Sequence, residues 1–206
     1  MTAAAQATAV IAAAGSGERL GAGKPKALVA VGGRELVAWS LDAFAGADSI
    51  GAVVVAAPPG HEAEVERLAP PGLELYVLAG GASRADSVRA ALAAVKTELV
   101  AIHDAARPLV SPSLIDAVVG GLGGRPDAAG VIAATPITDT VKRAHETRPP
   151  TGDFERGGPE IVRTESRDHL WAAQTPQAFR AEALRDAFAA GPGRAAGGTD
   201  EARVGA

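Results

Sequence analysis

Five apolar runs, most of them continuous, constrain this chain more than any other feature: Ala9–Ala14, Ile50–Ala57, Leu73–Leu78, Leu99–Ile102 and Gly130–Ala134. Short runs with no polar alternation are the pattern of strands covered on both faces. The segments between them have helical spacing. Leu36, Val37, Ser40, Leu41 and Phe44 fall on one stripe, and His61–Leu68, Ser83–Val95, Ser111–Leu122 and Ala181–Ala190 also read as helices. Ser111 followed by Pro112 has the form of an N-cap with proline in the first helical turn. Strand and helix in alternation predict a single Rossmann-like three-layer α/β domain with a mostly parallel central sheet. A chain of 206 residues is long enough for one such core. With aromatics at 3%, that core must be built from Ala, Val, Leu and Ile.

The alternation stops between Lys142 and Glu165, where Pro149, Pro150, Gly152, Gly157, Gly158 and Pro159 interrupt a polar stretch. This segment reads as a protruding excursion, with Ile161–Thr164 as a return strand. The residues alone leave open whether it is a surface loop or an arm that packs on a partner.

Composition excludes several classes of function. The absence of cysteine removes disulfides, thiolate catalysis and Cys-ligated zinc. A net charge of −4, from 20 basic and 24 acidic residues, disfavours a general nucleic-acid partner. No run approaches the length of a membrane span. Met1–Ala9 lacks the basic start of a secretory signal, so the expected location is the cytoplasm.

The most informative segment is Val10–Lys26, VIAAAGSGERLGAGKPK. A buried strand runs into glycines, which let backbone N–H groups approach phosphate oxygens, and Arg19 and Lys26 add positive charge. It is not a dinucleotide fingerprint, because Leu20 stands where G-x-G-x-x-G needs its third glycine. That disfavours a nicotinamide dehydrogenase. Nor is it a P-loop, because Glu18 replaces the opening glycine and Pro25 replaces Ser or Thr after Gly23-Lys24. Gly80-Gly81 and His103-Asp104-Ala105-Ala106-Arg107-Pro108 each follow a strand, at the carboxyl edge where parallel sheets bind ligands. Asp104 offers carboxylate oxygen to a hard cation or a hydroxyl, and Arg107 can hold a phosphate through two N–H groups. His103 reads as structural.

AAAGSGERLGAGKPKAL resembles the signature loop of sugar nucleotidyltransferases. Further matches follow in order: GGASRADSV from Gly80, HDAARP from His103, TDTVKR from Thr138, SRDHLWAAQTPQAF from Ser166 and TDEA from Thr199. Together they resemble the methylerythritol phosphate cytidylyltransferases from Val10 to about Val204. The resemblance implies cytidylyl transfer from CTP, with Mg²⁺ (Asp104 its ligand), to 2-C-methyl-D-erythritol 4-phosphate. Pyrophosphate is released, in the supply of isoprenoid precursors. It implies Arg19 and Lys26 as the catalytic cations. Ala13, Ala14, Gly15, Gly17, Gly80, Gly81, Ser87 and Thr199 would bind the nucleotide. Asp104, Arg107, Thr140, Arg167 and Thr175 would bind the alcohol phosphate. It also implies a homodimer formed through an arm at about residues 141–165. Ala12 stands where members often carry proline. The family's last strand and helix, which carry a substrate-binding lysine, have no counterpart before Gly205-Ala206. Two alternatives remain: a ribitol 5-phosphate or other nucleotidyltransferase, and a non-catalytic nucleotide-binding homologue.

Overall fold

A computed structural model of the chain describes residues 7–17, 21, 23–145 and 160–190. The strands are β1 (Ala7–Ala12), β2 (Ala30–Val31), β3 (Arg34–Glu35), β4 (Ile50–Ala57), β5 (Leu75–Ala79), β6 (Leu99–Asp104), β7 (Gly130–Pro136), β8 (Lys142–Ala144), β9 (Ile161–Thr164) and β10 (Trp171–Arg180). The helices are α1 (Leu36–Ala45), α2 (Glu62–Glu66), α3 (Arg84–Leu92), α4 (Pro112–Gly123) and α5 (Ala181–Ala189). Six strands form one sheet in the order β5-β4-β1-β6-β10-β7. β1 is parallel to β4 and β6, β4 is parallel to β5, and β10 runs antiparallel to β6.

The apolar runs conceal a strict two-residue period. Ala7, Ala9 and Ile11 of β1, Val53 and Val55 of β4, and Leu99 and Ala101 of β6 face a cluster completed by Val37, Leu41 and Phe44 of α1 and Ile115, Val119 and Leu122 of α4. The intervening Val10, Val54, Val100 and Ile102 face the other way, against Val88, Ala91 and Leu92 of α3 and Leu184 of α5. Both faces are covered, so no position needs a polar residue. Each fully buried Val, Leu, Ile or Phe contributes about 1.5–3 kcal/mol by leaving water. The predicted stripe of α1 is inside throughout: Leu36 is 7% exposed, and Val37, Ser40, Leu41 and Phe44 are 0% exposed. Ser111 caps α4, its hydroxyl accepting from the Leu114 amide at 3.2 Å.

β10 lies outside the sequence expectations. Its proline explains why: Pro176 has no N–H for a ladder and argues against a central strand. The register with β6 begins one residue later, at Gln177↔Ile102, and continues to Arg180↔Leu99.

The chain divides at Ala133/Ala134 and Gln174/Thr175 into two compact units. Within the second unit β8 pairs with β9 in antiparallel register, Lys142 opposite Thr164, so the predicted return strand is present. Glu165 accepts from Nε of both Arg143 and Arg163, and Lys142 Nζ donates to Thr164 Oγ1 at 2.6 Å. Those guanidinium groups, Arg143 first, hold the Glu165 carboxyl below the ordinary range. Among the described residues, no helix is long and apolar enough to cross a membrane.

Candidate active site

The carboxyl ends of β1, β5 and β6 converge on a pocket of about 1210 Å³. Three chain segments line it. Ala12–Gly17 continue β1 and include the expected nucleotide residues Ala13, Ala14, Gly15 and Gly17. Gly81–Arg84 and Ser87 carry the chain from β5 into α3. Asp104–Ala106 leave β6. Lys26 and Ala27 close the first side.

The glycine turn folds back on the lysine. Lys26 donates its amide to Gly15 O at 3.3 Å, and Gly17 adopts φ +71. A Cβ on Gly17 would lie 2.8 Å from Lys26 Cβ, so this turn needs glycine twice over, for conformation and for space. Gly15 differs: nothing lies within 4 Å of the place its Cβ would take. Gly15 is exposed and lines the pocket. Gly80 lies behind the pocket, where a Cβ would collide with Ala14 Cβ and lie 3.2 Å from Ala57 O. Its lack of a side chain lets the two loops touch.

Ser87 works inward. Its hydroxyl accepts from the Gly81 amide at 3.0 Å and donates to Ser83 O at 2.9 Å. Ser83 caps α3, accepting from the Asp86 amide at 3.0 Å. These bonds tie Gly81, Ser83 and Ser87 together where the segment lines the pocket.

Asp104 carries the one carboxylate among the described residues lining the pocket. Its Oδ1 accepts from Arg84 Nε at 2.7 Å, and its Oδ2 lies 3.5 Å from Arg107 Nε. Arg84 escaped the sequence reading, because a cation in the first turn of a helix opposes the dipole there and resembles a solvated charge. The pairing of its guanidinium with a carboxylate twenty residues on is visible only once α3 sits beside β6. Among the described residues, no group of three or more His, Asp or Glu side chains forms a metal cage. A single carboxylate beside this pocket fits a hard cation such as Mg²⁺, because that ion takes one or two carboxylates and fills its shell with substrate phosphate and water.

Thr175 and His103 stand beneath this turn rather than in the pocket. Thr175, 8% exposed, places Oγ1 at 3.0 Å from His103 Nδ1 and 3.4 Å from the Asp104 amide. His103, 0% exposed, reaches Arg107 O with Nε2 at 3.2 Å and packs on the Phe44 ring with centroids 5.3 Å apart. Burial drives its pKa down to about 4, against the smaller upward pull of Asp104, so the imidazole is neutral at pH 7.

Thr140 and Arg167 belong to the second unit. Thr140 is exposed there, and Arg167 Nη1 donates to Thr138 O. Arg19 and Thr199 lie outside the described residues.

The chain matches the family described as IspD, 2-C-methyl-D-erythritol 4-phosphate cytidylyltransferase, over residues 7–205. It is 45% identical over 184 residues to a 2-C-methyl-D-erythritol 4-phosphate cytidylyltransferase of Frankia casuarinae, covering 88% of this chain and 63% of that protein. It is 42% identical to a bifunctional enzyme IspD/IspF of Anaeromyxobacter dehalogenans, covering 93% of this chain and 47% of that one. The crystal structure of 2-C-methyl-D-erythritol 4-phosphate cytidylyltransferase from Thermus thermophilus superposes with a TM-score of 0.70 at 32% identity, covering 97% of this chain and 83% of the other. The chain therefore spans less than two thirds of the length of both curated relatives.

Proposed function

The chain belongs to the 2-C-methyl-D-erythritol 4-phosphate cytidylyltransferase family, and from that premise we propose that it transfers a cytidylyl group from CTP to 2-C-methyl-D-erythritol 4-phosphate. One observation carries the reading: the glycine turn after β1 closes on Lys26, and Gly15, Lys26 and Asp104 line one pocket.

In this reading the triphosphate lies along Ala13–Gly17, against backbone N–H groups and the Lys26 ammonium. Arg19 joins Lys26 as the second cation. Gly81, Ser83 and Ser87 shape the wall for the base, with Gly80 behind them and Thr199 contributing to the nucleotide. Arg107 binds the phosphate of the alcohol, Thr175 supports the turn that carries it, and the family resemblance assigns Thr140 and Arg167 to the same substrate. A phosphate oxygen of the alcohol phosphate attacks the α-phosphorus of CTP in line. A new P–O bond forms, the bond to the β-phosphate oxygen breaks, and pyrophosphate leaves. The nucleophile is already anionic, so no base and no covalent enzyme intermediate are needed. The protein supplies proximity and charge stabilisation. Asp104 would hold a Mg²⁺ brought by the nucleotide, which would neutralise phosphate charge when bound. The enzyme works in the cytoplasm as a homodimer joined through the segment at residues 141–165.

Pyrophosphate release from CTP tests this, measured with methylerythritol phosphate, with ribitol 5-phosphate and with neither. Release only with the first is expected. Release only with the second makes the chain a sibling enzyme, and CTP binding with no release under any condition makes it a non-catalytic homologue. Lys26→Ala should lower turnover by a factor of about 10², the scale of a lost charge-stabilising donor. A Lys26→Ala variant at wild-type rate removes the loop from the mechanism.

A further inference from the structure

We infer that His103 is the positioning residue that sets the Asp104–Arg107 turn for the alcohol phosphate, tying both ends of that turn to β10 through one imidazole ring. The inference rests on the cytidylyltransferase reading of the pocket.

The turn carries Asp104, which lines the pocket, and Arg107, whose Nε lies 3.5 Å from the Asp104 carboxylate, on a short stretch of backbone. Its start is the Asp104 amide, which points at Thr175 Oγ1 at 3.4 Å. Its end is the Arg107 carbonyl, which lies 3.2 Å from His103 Nε2. Between them, Arg107 N donates to Asp104 O at 2.9 Å and Ala105 N donates to Ala12 O at 3.1 Å. His103 Nδ1 meets Thr175 Oγ1 at 3.0 Å, so a continuous hydrogen-bonded path runs from one end of the turn to the other through β10.

The direction of each bond follows from what the atoms can do. A carbonyl oxygen only accepts, so His103 Nε2 carries a proton and donates to Arg107 O. In the neutral ring Nδ1 then accepts, so the Thr175 hydroxyl donates to it. That leaves the Thr175 oxygen with a lone pair for the Asp104 amide. One tautomer therefore satisfies every buried group on the path, and it fixes where Arg107 leaves the backbone. A guanidinium recognises phosphate through two parallel N–H bonds, which demand placement and not charge alone. Asparagine can imitate Nδ1 and glutamine can imitate Nε2, but neither spans both from one Cβ.

Two measurements decide the matter. The first is long-range proton–nitrogen NMR on the wild-type protein, which reads the His103 tautomer directly and needs no variant. The Nε2–H form is expected, and a Nδ1–H form overturns the path. The second is steady-state kinetics of His103→Gln and His103→Asn with each substrate varied in turn. For His103→Asn, which loses the donor to Arg107 O, KM for the alcohol phosphate should rise about tenfold, the effect of one lost bond of about 1.4 kcal/mol, while KM for CTP stays within a factor of about two. His103→Gln, which keeps that donor, should recover most of the difference. Equal losses on both substrates, or no loss in either variant, overturn the role. Wild-type protein without turnover overturns the cytidylyltransferase reading and this role with it, whereas active wild type with unaffected variants overturns the role alone.

Discussion

Two glycines of the same site separate the demands of folding from those of binding. A methyl group on Gly80 would press on Ala14 Cβ and Ala57 O, whereas one on Gly15 would enter open space. Gly80→Ala should therefore destabilise the fold by about 1–3 kcal/mol, the usual range for an overpacked site. Gly15→Ala should leave stability within about 0.5 kcal/mol, as at unencumbered surface positions. It should nonetheless weaken CTP at least about tenfold by filling the space the phosphates need. Denaturant midpoints and calorimetric CTP titration check both. Unchanged CTP affinity in Gly15→Ala would show that the phosphates lie elsewhere.

At the same scale, His103 links the site to acid stability. Its native pKa, about 4, is depressed from the ordinary 6.5 by burial, so between those values the unfolded chain binds a proton that the folded chain does not. Stability is then full above pH 6.5 and falls as the solution is acidified, with the loss complete near pH 4. The whole effect is on the order of 3 kcal/mol. Asp104, Arg107 and Arg84 are the charges that act on the ring, the first raising its pKa and the other two lowering it. In urea unfolding against pH, His103→Asn should be flatter than wild type across this window. Parallel profiles would mean that His103 is not the titrating group.

Two serines, each within or beside a helix, should respond to alanine with opposite signs. Ser111 satisfies an orphan amide at the start of α4, so Ser111→Ala should cost about 1 kcal/mol. Ser40 lies inside α1 with its hydroxyl buried and without a hydrogen-bond partner. Ser40→Ala should stabilise by about 1 kcal/mol, through a removed desolvation cost and better helix propensity. Thermal midpoints of the two variants should move apart, and a shift of both in the same direction would contradict this account.

Ser111 was legible in the sequence because an N-cap is a local pattern, as were Ile50–Ala57 and the stripe of α1, whose periods lie within one element. β10 was not, because Pro176 and the polar Gln174 and Gln177 hide a strand whose warrant is its place between β6 and β7 in the sheet. The glycine loop and Lys26 could be read from adjacent residues. The Arg84–Asp104 pair and the His103–Thr175 bond could not, since they join residues that only the sheet order brings together. Sequence pattern reports what a residue does to its neighbours in the chain, and a site assembled from three strand ends is mostly made of other contacts.

At the scale of the whole molecule, the second unit poses the remaining problem. Around its paired strands β8 and β9 it exposes apolar side chains: Ile161 is 60% exposed, Val162 50% and Trp171 60%. Exposed β-branched residues on a two-stranded ribbon, with Trp171 exposed at the start of β10, are poorly explained by solvent, because such a ribbon is marginal alone and apolar surface in water is unfavourable. In the proposed homodimer a second copy of the chain would supply the missing burial, and a stable pair would remove about 1,200–2,000 Å² from water. Wild-type protein should then sediment as a dimer at micromolar concentration. Trp171→Glu combined with Ile161→Glu should shift it to monomer, with no loss of the first unit's thermal transition, because neither residue contributes to that core. The double variant tests more than assembly: if the arm helps to complete the alcohol-phosphate site, monomers should lose turnover with that substrate while still binding CTP. A wild-type protein that sediments as a monomer at every concentration would remove the dimer, and monomers with full turnover would leave the arm without a part in the reaction.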